Sequence, residues 1–514
     1  MSTTVQNVKE SVVALFHWRT RGYYLDAEGV QRETCETPKL PPNPLKLIRK
    51  ITLRIWITYT IGFLAWFADA YDFHSLSIQS VKLAKHFNTT KSQVSEAITL
   101  TLLLRSVGAA IFGIFADYFG RKYPMVINMW LLGALQIGTI YSQTFQQFLA
   151  VRALFGLAMG GVYGAAASMA LESVPSDARG LMSGIFQQGY SLGYVIAACI
   201  NLAVGGDVAS WQTMFWVGAA LSFFVGTLRL ICPESKEFTE SRKLNKGQGT
   251  ADFRKNFLLM LKTEWGICVY AVVLMTWLCW ISHTSQDSYT TFMIVGKSLS
   301  NSAASRTSIL MKSGACIGGA ITGYLSQWCG RRRAMVITAL LTICLIPAWI
   351  LPNSEAGLSV GSFLLQMNVQ GAWGVVPIYL AEISPPAFRA LFIGVTYQLG
   401  NAISSPSTQI VNELAERHHI KDHLGRQVEA YGPVMAIMTA IFAGLLVVTA
   451  AVGPEKKGIS LQRGLAEDTG QAVRDTSVKG GGLPFPRTET ANDSKSFELR
   501  RDVTGRTELP SKVV

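Results

Sequence analysis

The chain has 514 residues, of which 49% are hydrophobic and only 15% charged, with a positive mean hydropathy of +0.28. That balance excludes a string of soluble domains and reads as an integral membrane protein, with the lipid bilayer as its solvent. A formal net charge of +13 arrives as short basic clusters between apolar runs rather than as one interleaved face, which excludes nucleic acid and fits cytoplasmic anchors under the positive-inside rule.

Residues 1–50 hold no apolar run of the signal-peptide kind and read as a cytoplasmic N-terminal segment. A span needs about 20 mostly apolar residues to cross roughly 30 Å of hydrocarbon. Six segments qualify within 51–232, at 55–79, 95–116, 124–142, 147–171, 181–203 and 211–232. Residues 233–263 form a charged cytoplasmic central loop, and six more spans follow within 264–453, at 266–293, 304–327, 334–351, 358–381, 389–411 and 431–453. Residues 454–514 are polar, without apolar periodicity, and read as a disordered cytoplasmic tail. Its Ser, Thr and Lys content suits trafficking or ubiquitin-ligase partners. An even number of spans puts both termini on one side, and the basic loops 120–122, 175–180, 330–333 and 385–390 make that side cytoplasmic. Asn88, in the sequon Asn88-Thr89-Thr90, then falls in the first external loop as a glycosylation candidate. The cysteines show no CxxC or metal-ligand spacing, so neither disulfide, metal nor cofactor is expected.

Ionisable residues inside spans are costly and therefore read first as functional. The first span carries WFADAYDFHS, with Asp69 and Asp72 one turn apart on one face. Counted from Arg54, Asp69 lies roughly 22 Å along the helix, near mid-membrane. In the second span, Arg105 of LTLLLRSVGAA needs a carboxylate from the protein or a substrate anion. Arg152, near the start of the fourth span, reads as an anchor of that helix end. Gln188 of FQQGYSLGY and Gln398 of YQLGN each lie about 13 Å beyond a loop arginine, near the midplane, with Asn401 one turn further. Such amides suit hydrogen bonds to a small anion, or alternatively between helices.

The seventh span runs ICVYAVVLMTWLCW without a charge and then reads ISHTSQDSYTT. His283 and Asp287 are at i and i+4, close enough to share a proton or an ion pair, with Ser282 beside them.

Two halves of the chain repeat at a shift of 210 residues. Gly113, Gly120 and Arg121 of GIFADYFGRK fall on Gly323, Gly330 and Arg331 of GYLSQWCGRR. Further on, Glu172, Pro175, Arg179, Gly184 and Gln188 fall on Glu382, Pro385, Arg389, Gly394 and Gln398. A parallel repeat of six spans predicts an all-α integral membrane fold of twelve transmembrane helices in two pseudo-symmetric six-helix bundles. Asp117 and Arg121 are placed to pair with charges or helix ends at the cytoplasmic face, together with Gly330 and Arg331 of the second copy. Gln327 replaces Asp117 there, so a weaker latch is expected.

GIFADYFGRK resembles the signature loop of the major facilitator superfamily, which implies a transporter with alternating access. CPESKEF (232–238) and GPEKKG (453–458) resemble elements of sugar porters, although a plain helix stop, with Pro ending the span and charges anchoring it, explains them better. SHTSQDSYTT resembles the N-x-x-[ST]-H-x-[ST]-Q-D-x-x-x-T signature of fungal monocarboxylate/proton symporters of the lactate and pyruvate type, in the sialate:proton symporter branch. Cys279 stands where that signature has asparagine. The likeness continues through WFADAYDF, TLLLRSVGAAIFG, LESVPSDARG, FQQGYSLGY and YQLGN. It implies proton-coupled uptake of lactate, pyruvate or acetate across the plasma membrane. His283 and Asp287, with Asp69 and Asp72, then read as proton-coupling groups, and Arg105, Gln188, Gln398, Asn401 and Ser282 as substrate contacts. A sugar or inorganic phosphate symporter of the same fold, or a non-transporting nutrient receptor, are the alternatives. No enzyme is expected, because the short loops supply no nucleophile, base and oxyanion set.

Overall fold

The computed structural model describes residues 12–16, 20–25, 31–36, 40–89, 91–204, 211–232, 234, 250–421, 425–459 and 461. Each expected span is mostly helical, the seventh and eleventh with a break. The first six are α1 Leu53–Ile78, α2 Lys91–Phe119, α3 Lys122–Ile140, α4 Phe145–Gly160 continued by Val162–Glu172, α5 Arg179–Val204 and α6 Trp211–Ile231. The next six are α7 Trp265–Gln286, α8 Asn301–Cys329, α9 Arg331–Ile350, α10 Glu355–Ile383, α11 Arg389–Ser404 and α12 Tyr431–Val452.

Among the described residues, seven helices are long and apolar enough to cross a membrane: α2, α3, α4, α6, α7, α9 and α12. The other five carry buried polar side chains, including Asp69 on α1, Gln187 on α5, Lys312 on α8, Gln366 on α10 and Gln398 on α11. α11, at 16 residues, falls short in length, and in the other four polar groups turned into the protein lower the apolarity.

Packing follows the repeat. α1 lies on α5 as α7 lies on α11, α2 on α4 as α8 on α10, and α3 on α6 as α9 on α12. Contacts between the two sets of six obey the same shift, with α5 against α8 and α11 against α2. Glycine makes these crossings possible. A methyl on Gly184 would sit 2.3 Å from the Gly319 carbonyl oxygen, and one on Gly164 would sit 2.3 Å from that of Ala390. The loops after α2 and α8 turn at Gly120 and Gly330, whose φ values of 99° and 92° are open only to glycine at little cost.

Several segments differ from expectation. The central loop contains a helix, Thr250–Thr263, and the N-terminal segment contains an antiparallel strand pair, Thr20–Leu25 with Gln31–Glu36, and a helix, Pro44–Arg49. α7 does not run straight to residue 293: it ends at Gln286, turns at Asp287 and Ser288, and resumes as a short helix and a π turn, Phe292–Gly296. A break of this kind frees backbone geometry where a site needs it. Asn88 lies exposed in the turn after the helix Ser80–His86, with a left-handed φ of 52°. Residues 462–514, most of the expected tail, lie outside the described residues. The tail's first stretch corrects the expectation of disorder from 454, because Leu461 is buried in the core and Pro454–Ile459 form a strap across the terminal face, where α1 begins and α12 ends.

Candidate functional site

A small cavity lies among α5, α7, α10 and α11. Gln187 and Tyr190 line it from α5, Cys279, Ser282, His283 and Gln286 from α7, Gln370 and Trp373 from α10, and Tyr397 and Asn401 from α11. Towards the terminal face it rests on aromatic rings. Tyr397 stacks on Tyr163 at 4.2 Å between centroids, and Trp66 meets Tyr163 edge-on at 4.6 Å. The chemistry of the lining, with amides, hydroxyls and aromatic faces around one space, suits a small molecule with a few polar groups.

α7 supplies the polar wall because ISHTSQ puts successive polar side chains over nearly two turns. His283 Nδ1 lies 2.8 Å from Asp287 Oδ2, which also accepts from Thr408 Oγ1 at 2.7 Å. An ionised carboxylate only accepts, so Nδ1 carries a proton in this pair and Nε2 is left to gain or lose one. Trp373 Nε1 donates to Ser282 Oγ at 2.6 Å, and Gln366 Nε2 donates to Ser285 Oγ at 2.8 Å. Cys279 Sγ sits 3.6 Å from Asn401 Oδ1. These bonds fix the rotamers of the wall before any ligand arrives.

The remaining expected site residues are placed differently. Arg105 donates to Asp69 Oδ2 at 2.9 Å, and both side chains are buried. The standing ion pair is therefore the arrangement in this conformation, and Arg105 does not line the cavity. Asp72 shares α1 with Asp69 but turns to another neighbourhood, accepting from Ser222 Oγ of α6 at 3.3 Å. The expectation that Gln188 and Gln398 both face the cavity is corrected. Gln188 bonds the Gly184 carbonyl at 3.1 Å and its amide occupies the space beside Gly319, while Gln398 is fully buried and accepts from Asn401 Nδ2 at 3.5 Å. Gln187, one residue and about 100° around the helix from Gln188, lines the space instead, as does Asn401, three residues beyond Gln398. Ser282, His283 and Asn401 are the expected residues that do line it.

Three features escaped the sequence reading. Arg152 does not anchor a helix end: it is fully buried between Phe155 and Phe215, at 4.5 and 4.7 Å, and donates to Gln136 Oε1 at 2.5 Å. Lys312 is buried on α8, donates to Gln286 Oε1 at 2.6 Å and lies 4.8 Å from the Tyr194 ring centroid. Its signal was a lone lysine within ILMKSGACIGGA, a position with no polar mate in the repeat, where Leu102 stands. The third feature is a shared role for the two Pro-Glu elements. Glu234 accepts from the Lys122 backbone N–H at 2.8 Å at the start of α3, and Glu455 accepts from those of Arg331 and Arg332 at 3.0 and 3.1 Å at the start of α9. Each carboxylate thus caps a helix N-terminus where the backbone dipole favours it.

Below the aromatic floor the terminal face is closed by polar contacts between the two sets of six helices. Asp117 accepts from the backbone N–H groups of Ala390 and Leu391 at 3.2 and 2.9 Å, and Glu172 pairs with Arg121 and, at 3.0 Å, with Arg389. Ser183 Oγ donates to the Gly374 carbonyl at 2.9 Å. The strap adds to this closure, as Arg179 donates to the Ile459 carbonyl at 2.8 Å and Arg389 to that of Leu461 at 2.9 Å.

Comparison with known proteins agrees with this architecture. Residues 55–408 match the family model described as Major Facilitator Superfamily. The chain is 34% identical over 436 residues to a carboxylic acid transporter protein homolog of Saccharomyces cerevisiae, covering 80% of this chain and 70% of that protein. It is 26% identical over 363 residues to the sialic acid transporter NanX of Escherichia coli, covering 68% and 84%. The solved proton:xylose symporter XylE superposes with a TM-score of 0.64 at 19% identity, over 79% of this chain and 98% of that one, a likeness of fold.

Proposed function

The chain belongs to the Major Facilitator Superfamily, and on that footing we propose that it is a proton-coupled symporter carrying small monocarboxylates such as lactate, pyruvate and acetate across the plasma membrane, with both termini cytoplasmic. The observation that carries this reading is the His283 and Asp287 pair, 2.8 Å apart, with His283 at the cavity wall. The carboxylic acid transporter homolog among the relatives supports the substrate class. A membrane potential, negative inside, opposes an entering anion by about 2.3 kcal/mol per charge per 100 mV, and one co-transported proton removes that term. In the proposed cycle the anion enters from the far face, the pair with Asp287 holds the proton on His283, and the Asp117 and Glu172 contacts release to open the terminal face. Asp69 serves as a second protonation site, since its ion pair with Arg105 loosens when the carboxylate is neutral.

Neutral lining amides at Gln187, Gln286 and Gln370 beside Trp373 favour one other reading, a sugar/proton symporter. Uptake of labelled lactate, pyruvate, acetate and a hexose into transporter-null cells, at pH 5 and pH 7 with and without a protonophore, separates the two. Accumulation of a monocarboxylate that collapses with the protonophore is expected, together with loss of that accumulation in His283→Ala. Hexose accumulation without any carboxylate uptake by a correctly localised protein would reject the proposal.

A further inference from the structure

Lys312 is 4% exposed, and among the described residues its ammonium makes no ion pair. It has three N–H donors, one neutral oxygen acceptor and one aromatic face. The Asp287 carboxylate acts on it only through space, and a buried cation without a close counter-ion stays expensive unless an anion visits it. Its location says where the anion would arrive. The acceptor is Gln286, which lines the cavity beside His283, and the aromatic face is Tyr194 of α5, across the boundary between the two sets of six helices.

The hydrogen bond also fixes the orientation of Gln286. A lysine ammonium has no acceptor, so the atom facing it must be Oε1, and the amide's Nε2 donors are those left for the cavity. Donation from a full charge polarises the amide and strengthens those donors. We propose that Lys312 and Gln286 form an anion-recognition relay, in which the buried ammonium positions and polarises the amide and supplies the positive charge that selects a carboxylate at this wall. The inference rests on the carboxylate reading and assigns the recognition to residues outside the His283 and Asp287 pair. Lys312 is a positioning residue in this account, acting through Gln286.

The test compares labelled lactate uptake by the wild-type chain, Lys312→Met, Lys312→Arg and Gln286→Glu, each normalised to surface protein. Lys312→Met and Gln286→Glu are expected to raise KM at least about tenfold, the scale of one lost charge-assisted contact, with Vmax kept within about twofold. Lys312→Arg is expected to rescue most of the affinity. A purely structural lysine predicts the opposite for Gln286→Glu, which would give the ammonium its missing carboxylate and leave KM unchanged; that result overturns the relay. Where the wild-type chain takes up no carboxylate, the carboxylate reading fails and the relay is decided on purified full-length protein. Thermal stabilisation by lactate, succinate or inorganic phosphate that disappears in Lys312→Met and Gln286→Glu supports an anion site at Lys312. Stabilisation kept in both variants, or absent with all three anions, overturns it.

Discussion

The two copies of the repeated loop close the same face with different chemistry. After α2, Asp117 caps the first amides of α11 with a full carboxylate, and Glu172 joins Arg121 to Arg389 across the two sets of helices. After α8, Gln327 stands in the matching place and reaches across with a neutral amide, donating to the Ser176 carbonyl at 2.9 Å. Glu382 spends both oxygens within its own set and the strap: Arg331 binds it bidentately at 3.0 and 3.1 Å, and the Gly458 N–H donates at 3.2 Å. In close ion pairs and hydrogen bonds, one copy therefore carries charge across the interface while the other bonds its carboxylate at home, with Arg179 acting on Glu382 only at longer range. Opening the terminal face should depend mainly on the first.

The strongest way to break this comparison is to remove the two repeat-related glutamates in turn. Glu172→Gln and Glu382→Gln should each destabilise the purified protein by about 3–5 kcal/mol, the usual result of stripping a partner from a buried ion pair. Only Glu172→Gln should also expose the terminal face, read as at least tenfold faster maleimide labelling of a cysteine placed at Ser168, between latch and aromatic floor. Equal labelling in the two variants would mean that the copies are equivalent. A smaller effect is expected from Asp117→Asn, which removes about 1–2 kcal/mol of charge-assisted capping at α11 and should speed the same labelling several-fold. The mildest change sharpens the contrast. Gln327→Asp places an acceptor near the first amides of α5, and a gain of up to about 1 kcal/mol should slow the labelling; acceleration would show that the Ser176 contact matters more than the charge.

The fold was legible because a 210-residue repeat carried the pattern across the helices that apolar length alone marks weakly, and the packing pairs obey that shift. The His283 and Asp287 pair was legible for the same kind of reason, since i and i+4 on a helix leaves little freedom. What failed was helical phase and depth. Gln188 and Gln187 differ by one residue, and sequence places both at the same depth without saying which looks inward. Arg152 was read from an expected boundary at 147, whereas α4 begins at Phe145 and neighbouring aromatic rings enclose the guanidinium. Lys312 has no polar mate in the repeat, where Leu102 stands, so the repeat that makes the other residues legible leaves it unmarked.

The strap after α12 is gripped in an unusual way. Arg179 and Arg389, mates in the repeat, each hold a main-chain carbonyl, at Ile459 and Leu461. A carbonyl is the same whichever side chain follows it, so substitution at Ile459 leaves its grip in place. Insertion or deletion of one residue between Gly453 and Leu461 would put both arginines out of step at once. Over evolutionary time the arginine grip therefore holds this segment to its length, while Glu455, Gly458 and Leu461 are the positions where its side chains are also constrained.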